Sequence, residues 1–451
     1  MRFSLRRLRI LSLFITLLLP LVACERRSSG APRAPEQTGS FIFKEKPTST
    51  ITFLSTQLNP VEEAGKMRNV ILKDFPGKVD FRPNDNSQMF SQIDAMLKSN
   101  PIESIILGAG HGDFVSLYEK GALNTVNEEM EKLADRRFPA TLATLCKLNG
   151  KDPYYVPWMQ ASFVFVANKK ALSYLPKDAR LDALTYDQLY QWAGEIFNKT
   201  GMRALGFPAG KNGLMHRFFQ GYLYPSFTAS TLLKFKTAEA GGMWTYFKGL
   251  WEYANPGSLV YSTMSEPLLT GDVWIAWDHT ARLIKALKDR PDDFVAFPAP
   301  IGPKGRGIML IVAGLGIPKL ARGSGDQMML IDYLTEPAIQ KRMLNETGFF
   351  PVVSAEGQPG LPSYLAGLDA AVKAQTEAGD TVPTLAPIGL GDRSTDYNNA
   401  FMMAFSGIVL EDKDIQTVLN ENAAELQRII DGANAKCWLP DASDKRPCKV
   451  E

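Results

Sequence analysis

The feature that most constrains the fold is an alternation of short apolar strands with amphipathic helices near the start of the ordered sequence. Thr50-Ile51-Thr52-Phe53-Leu54 alternates polar and apolar as a strand does. Gln57-Leu58-Asn59-Pro60 breaks it, and a helix follows from about Val61 to Phe75. Lys78-Val79-Asp80-Phe81 is a second strand, a helix covers about Ser87 to Lys98, and Ser104-Ile105-Ile106-Leu107 is a third strand. The unbroken apolar run of the third strand suits a parallel sheet covered on both faces. Strand, helix, strand, helix, strand predicts an α/β domain whose ligand edge lies at the strand C-termini. The segments 55–60 and 108–113 fall at that edge.

A second α/β pattern follows. Tyr154 to Val166 reads as extended, and Thr185-Tyr186-Asp187-Gln188 is a capping box opening a helix to about Phe197. Helices are expected near 212–222, 228–240 and 242–253, and strands at Val273 to Trp277, Phe294 to Phe297 and Ile308 to Ile317. Helices at Asp326 to Leu334 and Pro337 to Asn345 precede an extended Phe349 to Val353, and a last helix spans about Asp414 to Ala433.

The compartment is read from the first residues. Arg2, Arg6, Arg7 and Arg9 precede an apolar run from Ile10 to Val22, then Ala23 and Cys24. The run is shorter than the roughly 20 residues a membrane-crossing helix needs, so residues 1–23 read as a signal peptide. Leu21-Val22-Ala23-Cys24 looks like the lipobox of bacterial lipoproteins, which implies export and a lipid on Cys24 holding the chain at an outer membrane face or in the periplasm. Residues 24–48, rich in Ser, Gly, Pro, Arg and Glu, are expected to be a flexible tether. Removing 1–23 lowers the basic count from 50 to 46 against 48 acidic residues, which argues against a nucleic-acid binder. Cys437 and Cys448 lie in a polar tail, 436–451, and are candidates for a disulfide pinning the C-terminus; two free thiols are the alternative. Cys146 reads as a small buried hydrophobe.

Four segments carry a family resemblance. They are Gly108 to Leu123; Tyr154-Tyr155-Val156-Pro157 leading to Val166-Ala167-Asn168-Lys169; Thr270-Gly271-Asp272-Val273-Trp274-Ile275-Ala276-Trp277; and Phe297-Pro298-Ala299-Pro300 through Ala313-Gly314-Leu315-Gly316-Ile317 to Phe349-Phe350-Pro351-Val352. In order and spacing they resemble the solute-binding proteins of ABC importers, the group of maltose-type, multiple-sugar and glycerol-phosphate binders, over about 50–430. The resemblance implies a periplasmic-binding-protein fold of two α/β lobes: 49–160 plus 313–355, and 163–308 plus 360–435. Three crossings, near 158–163, 308–313 and 352–362, would flank a central ligand cleft. It further implies a monomeric receptor with no cofactor, capturing a mono- or oligosaccharide and delivering it to permease subunits. One departure stands out, Ile102-Glu103-Ser104 where the family starts its loop with an Asp-rich "PDI".

Sugars need aromatic planes and fixed amide, carboxylate or guanidinium groups. Candidates at the expected cleft are Gln57, Asn59, His111, Asp113, Trp158, Gln160, Tyr222, Tyr224, Trp277, Asp278, His279, and Arg393, Asp396 and Tyr397 in a polar loop from Gly391 to Asn399. Polyols or glycerol phosphates are the alternative ligands, with Arg393, Lys211 and Arg217 as anion partners. A sensory two-lobe lipoprotein and a glycosidase are the alternative roles. The three histidines lack metal-ligand spacing. The glycines of Gly108 to Asp113 do not match a dinucleotide fingerprint, and neither a P-loop nor a G-x-S-x-G elbow occurs, so no enzyme is expected.

Overall fold

The computed structural model describes residues 47–58, 61–99, 104–148, 150–319, 325–353, 361–443 and 446–451. The signal peptide, Cys24, nearly all of the tether, Asn59, Ile102-Glu103 and most of the third crossing lie outside them. Among the described residues no helix is long and apolar enough to cross a membrane.

The strands are β1 (Thr50–Ser55), β2 (Lys78–Pro83), β3 (Ile105–Gly110), β4 (Val156–Ala161), β5 (Phe163–Asn168), β6 (Leu205–Gly206), β7 (Ile275–His279), β8 (Phe294–Phe297), β9 (Arg306–Gly316) and β10 (Thr381–Leu385). They form two sheets. In the first, β2, β1 and β3 run parallel, and β3 pairs antiparallel with the C-terminal half of β9, as does β4. The N-terminal half of β9 pairs in parallel with β10, so this one long strand belongs to both halves of the molecule. The second sheet has the order β6-β7-β5-β8, with β5 antiparallel to β7 and β8.

This is a mixed α/β, two-lobe architecture. Lobe one packs around Phe53, Ile106, Leu107 and Trp158, and lobe two around Phe165, Trp192, Phe218 and Trp277. The chain passes between sheets with one intervening residue, Ser162, between the end of β4 and the start of β5.

Local chemistry explains most element ends. Thr185 caps the helix Tyr186–Thr200 through its hydroxyl and the Gln188 amide, and Gly201 at φ 72° closes it. The helix expected over 228–240 is absent. Ala229 turns left-handed (φ 56°), and Thr231 and Leu232 give their N–H groups to the buried Asp441 carboxylate instead of to a helix. The helix expected from Val61 to Phe75 is regular only to Lys66, then widens and tightens over Met67–Asp74. The polar stretch from Gly391 is also not a loop, because Ser394–Phe405 is helical. Its polar composition hid a burial period in which Tyr397, Ala400 and Phe401 face inward while Asp396 and Asn399 face solvent.

Candidate functional site

The C-terminal ends of β1 and β3 open into a cleft of about 280 Å3 that residues of both lobes line. After β1 come Thr56 and Gln57; after β3 comes the helix His111–Glu119, with Asp113 in its first turn. Glu63 and Asn86 complete this wall. The opposite wall consists of Phe163, Arg217, His279 and Arg282, with Ser394, Thr395 and Asn398 from the first turns of the helix Ser394–Phe405. Leu310, Ile311 and Val312 of β9 lie at the base, where the strand passes between lobes.

Asp113 is fixed from within its own lobe. One carboxylate oxygen accepts from the Gly110 N–H at 3.2 Å and the Thr56 hydroxyl at 3.2 Å, and the other from the Asn86 amide. It thus closes the helix N-terminus as well as lining the cleft, and burial pushes its carboxyl up to about 6. The Gln57 amide donates to the Thr56 hydroxyl at 3.1 Å. His111 Nδ1 lies 3.0 Å from the Tyr155 hydroxyl, and burial pulls the imidazole down to about 4. His279 Nδ1 accepts from the Ala281 N–H at 3.2 Å, so the neutral ring presents Nε2–H, and burial, then Arg282, brings it down to about 3. Gly112 has a packing reason: a Cβ there would lie 2.1 Å from the Pro387 carbonyl oxygen, so only glycine lets the 386–388 segment pass.

Of the residues expected at the cleft, Gln57, His111, Asp113 and His279 line it. Asn59 lies outside the described residues, and the remaining candidates are placed elsewhere. Trp277 is fully buried, stacked on Phe163 at 4.7 Å and edge-on to Phe218 and Tyr222, one ring behind the cleft surface. Asp278 points to the other face of β7, where it accepts from the Met264 and His279 N–H groups; burial raises it to about 6. Tyr222 ties its hydroxyl to the Phe163 backbone, and Tyr224 to the Phe235 carbonyl and the Trp244 indole, because each must satisfy a polar tip inside an apolar cluster. Trp158 fills the lobe-one core against Phe53. Gln160 joins β4 to the 349–353 segment through the Pro351 carbonyl. Arg393 lies over Gly432 of the last helix, Asp396 is exposed on a separate hollow with Glu421 and Glu425, and Tyr397 packs between Phe401 and Trp438. Lys211 does not line the cleft, whereas Arg217 does. Cys437 and Cys448 are disulfide-bonded, and Cys146 is buried and free.

Sequence reasoning did not single out Glu63, Asn86, Phe163, Arg282, Thr395 or Asn398. Helical spacing held part of the signal: Arg282 stands three residues after His279, and Asn398 four after Ser394. Among the described residues no cluster of His, Cys, Asp or Glu could hold a metal ion.

The comparisons agree with this architecture. The family described as bacterial extracellular solute-binding protein matches residues 70–363, well over half of the sequence, and the chain belongs to it. Among solved structures, maltose-bound MalE3 of T. maritima superposes with a TM-score of 0.65 at 15% identity, covering 84% of this chain and 100% of that one. UgpB from Mycobacterium tuberculosis, in complex with glycerophosphocholine, gives 0.66 at 18%, covering 86% and 99%. The GacH receptor of Streptomyces glaucescens, solved unliganded and with acarbose, gives 0.63 at 15%, covering 85% and 98%. No curated protein sequence matches the chain.

Proposed function

We propose that the chain is a lipid-anchored receptor that captures a small hydroxylated solute between its lobes, closes by hinge bending and hands the solute to the membrane subunits of an ABC importer. The observation that carries this reading is the cleft: hydrogen-bonding side chains of both lobes meet at the strand C-termini, beside the point where β9 crosses. Its volume is near the lower end of the ~300–1,000 Å3 usual for ligand pockets, which favours a solute of one or two sugar rings. Maltose, acarbose and glycerophosphocholine in the similar structures support carbohydrates and polyol phosphates as the classes to try. The lipobox-like Leu21 to Cys24 supports the anchor. The protein itself is proposed to catalyse nothing and to act as a monomer.

A thermal-shift screen of the full chain in detergent, against sugars, polyols, glycerol phosphates, amino acids and peptides, tests the receptor reading. A true ligand raises the melting temperature by mass action. Silence across all five classes would overturn the small-solute assignment. Cys24→Ser tests the anchor in cells: the chain is expected to leave the membrane fraction, and undiminished retention there would rule a lipid on Cys24 out as the attachment.

A further inference from the structure

The two walls of the cleft differ in the hydrogen-bonding capacity they leave open. Arg217 lines the cleft and makes a single side-chain hydrogen bond among the described residues, from Nη1 to the Gln220 side-chain oxygen at 2.8 Å. A guanidinium carries five donors, so four remain. No carboxylate lies within ion-pair distance of it among the described residues. Asp113, across the cleft, acts on it electrostatically, but that carboxylate already accepts from Thr56, Gly110 and Asn86. Burial, only partly offset by Tyr397 and Asp113, weakens the guanidinium's hold on its proton, to about 10.

The surroundings of Arg217 supply more donors. Gln220 is buried, and its amide nitrogen donates to the Asn398 side-chain oxygen at 3.0 Å. This both orients Gln220 toward Arg217 and engages the Asn398 side-chain oxygen, while the Asn398 NH2 makes no hydrogen bond among the described residues. Thr395 adds an exposed hydroxyl one turn earlier on the same twelve-residue helix. The wall opposite offers the Glu63 carboxyl, which makes no hydrogen bond among the described residues and whose affinity for a proton burial raises. A desolvated cation without a contacting anion is costly, and neutral hydroxyls do not offset its charge.

We propose that Arg217, with Thr395 and Asn398, forms an anion-holding subsite, so that the cleft selects a small hydroxylated solute bearing a carboxylate or phosphate over its neutral counterpart. The acid group takes the Arg217 side, and hydroxyls face Glu63 and Gln57. This rests on the cleft being the solute site.

Matched pairs test it by calorimetry and thermal shift on the full chain in detergent: glucose against glucuronate and glucose 6-phosphate, glycerol against glycerate and glycerol 3-phosphate. In at least one set the acidic member is expected to bind at least tenfold more tightly than the neutral one. Carboxylate-only or phosphate-only preference identifies which acid the site takes. Arg217→Gln is expected to weaken binding of the acidic member by at least tenfold and more than it weakens that of the neutral one, so that the advantage is lost, and Arg217→Lys to keep part of it. Inorganic phosphate alone should stabilise the wild type at constant ionic strength and compete with the acidic solute, a readout that does not require the variants to fold. Equal or tighter binding of the neutral members, or an acid advantage that survives in Arg217→Gln, overturns the subsite while the receptor reading stands. If inorganic phosphate and every acidic member are silent, the subsite also falls; the receptor reading falls with it only if the neutral sugars, polyols, amino acids and peptides are silent as well.

Discussion

Lobe one and lobe two meet at one cleft but prepare their surfaces differently. The lobe-one wall is made of strand ends and a helix N-terminus whose polar groups, Glu63 apart, are committed to each other: Gln57 to Thr56, Thr56 and Asn86 to Asp113, His111 to Tyr155. The lobe-two wall combines the strand residues Phe163 and His279 with helices laid over an aromatic cluster, and it keeps donors uncommitted, notably on Arg217. A wall that is satisfied internally is preorganised and offers few choices to a solute. Selection therefore falls to the wall with open donors.

The largest test of this difference concerns what underlies the lobe-two wall. Trp277 supports Phe163, the ring that reaches the cleft, and touches Phe218 and Tyr222 from behind. Trp277→Ala should cost about 3–5 kcal/mol of stability by leaving a cavity in that cluster, measured by urea unfolding. A variant that keeps its stability yet loses solute affinity would mean that the ring faces the solute, and the contrast between wall and support would break.

How far the sequence reaches follows from the same residues. β1, β2 and β3 were legible because alternation and apolar runs report burial directly, and Thr185 was legible because a capping box is a local arrangement. Trp277, Tyr222 and Tyr224 were not placed, since an aromatic at a strand or helix end looks the same whether it turns into the core or toward solvent. Pairing decides it: in the β5–β7 ladder Phe165 stands opposite Trp277, and Phe163 stacks over its face. Arg217 and Glu63 meet across the cleft only after both lobes fold, so no spacing in the sequence links them. The helix from Ser394 was hidden by its polar first turn, although the inward Tyr397, Ala400 and Phe401 carried the period.

A smaller effect separates the two lobes by pH. Burial raises Asp113 in lobe one and Asp278 in lobe two to about 6, above an unfolded value near 3.9. For each, the stability contribution is fully present below about pH 3.9 and is lost as pH rises through 6. Burial lowers His111 to about 4 and His279 to about 3, and these act in the opposite sense: their contribution is present above about 6.5 and is lost as pH falls toward those values. Between pH 4 and 6 the carboxyls and imidazoles oppose one another and mask each other in the wild-type profile. Asp278→Asn removes one carboxyl term, so its unfolding free energy relative to wild type should shift in the variant's favour by about 1–3 kcal/mol from pH 4 to pH 7, whatever its absolute cost. Asp113→Asn should shift in the same direction but also change solute affinity, because Asp113 lines the cleft and Asp278 does not. If the two variants alter binding equally, the distinction between a wall residue and a supporting one fails for this pair; if neither profile departs from wild type, both carboxyls are ionised in the folded protein well below pH 6.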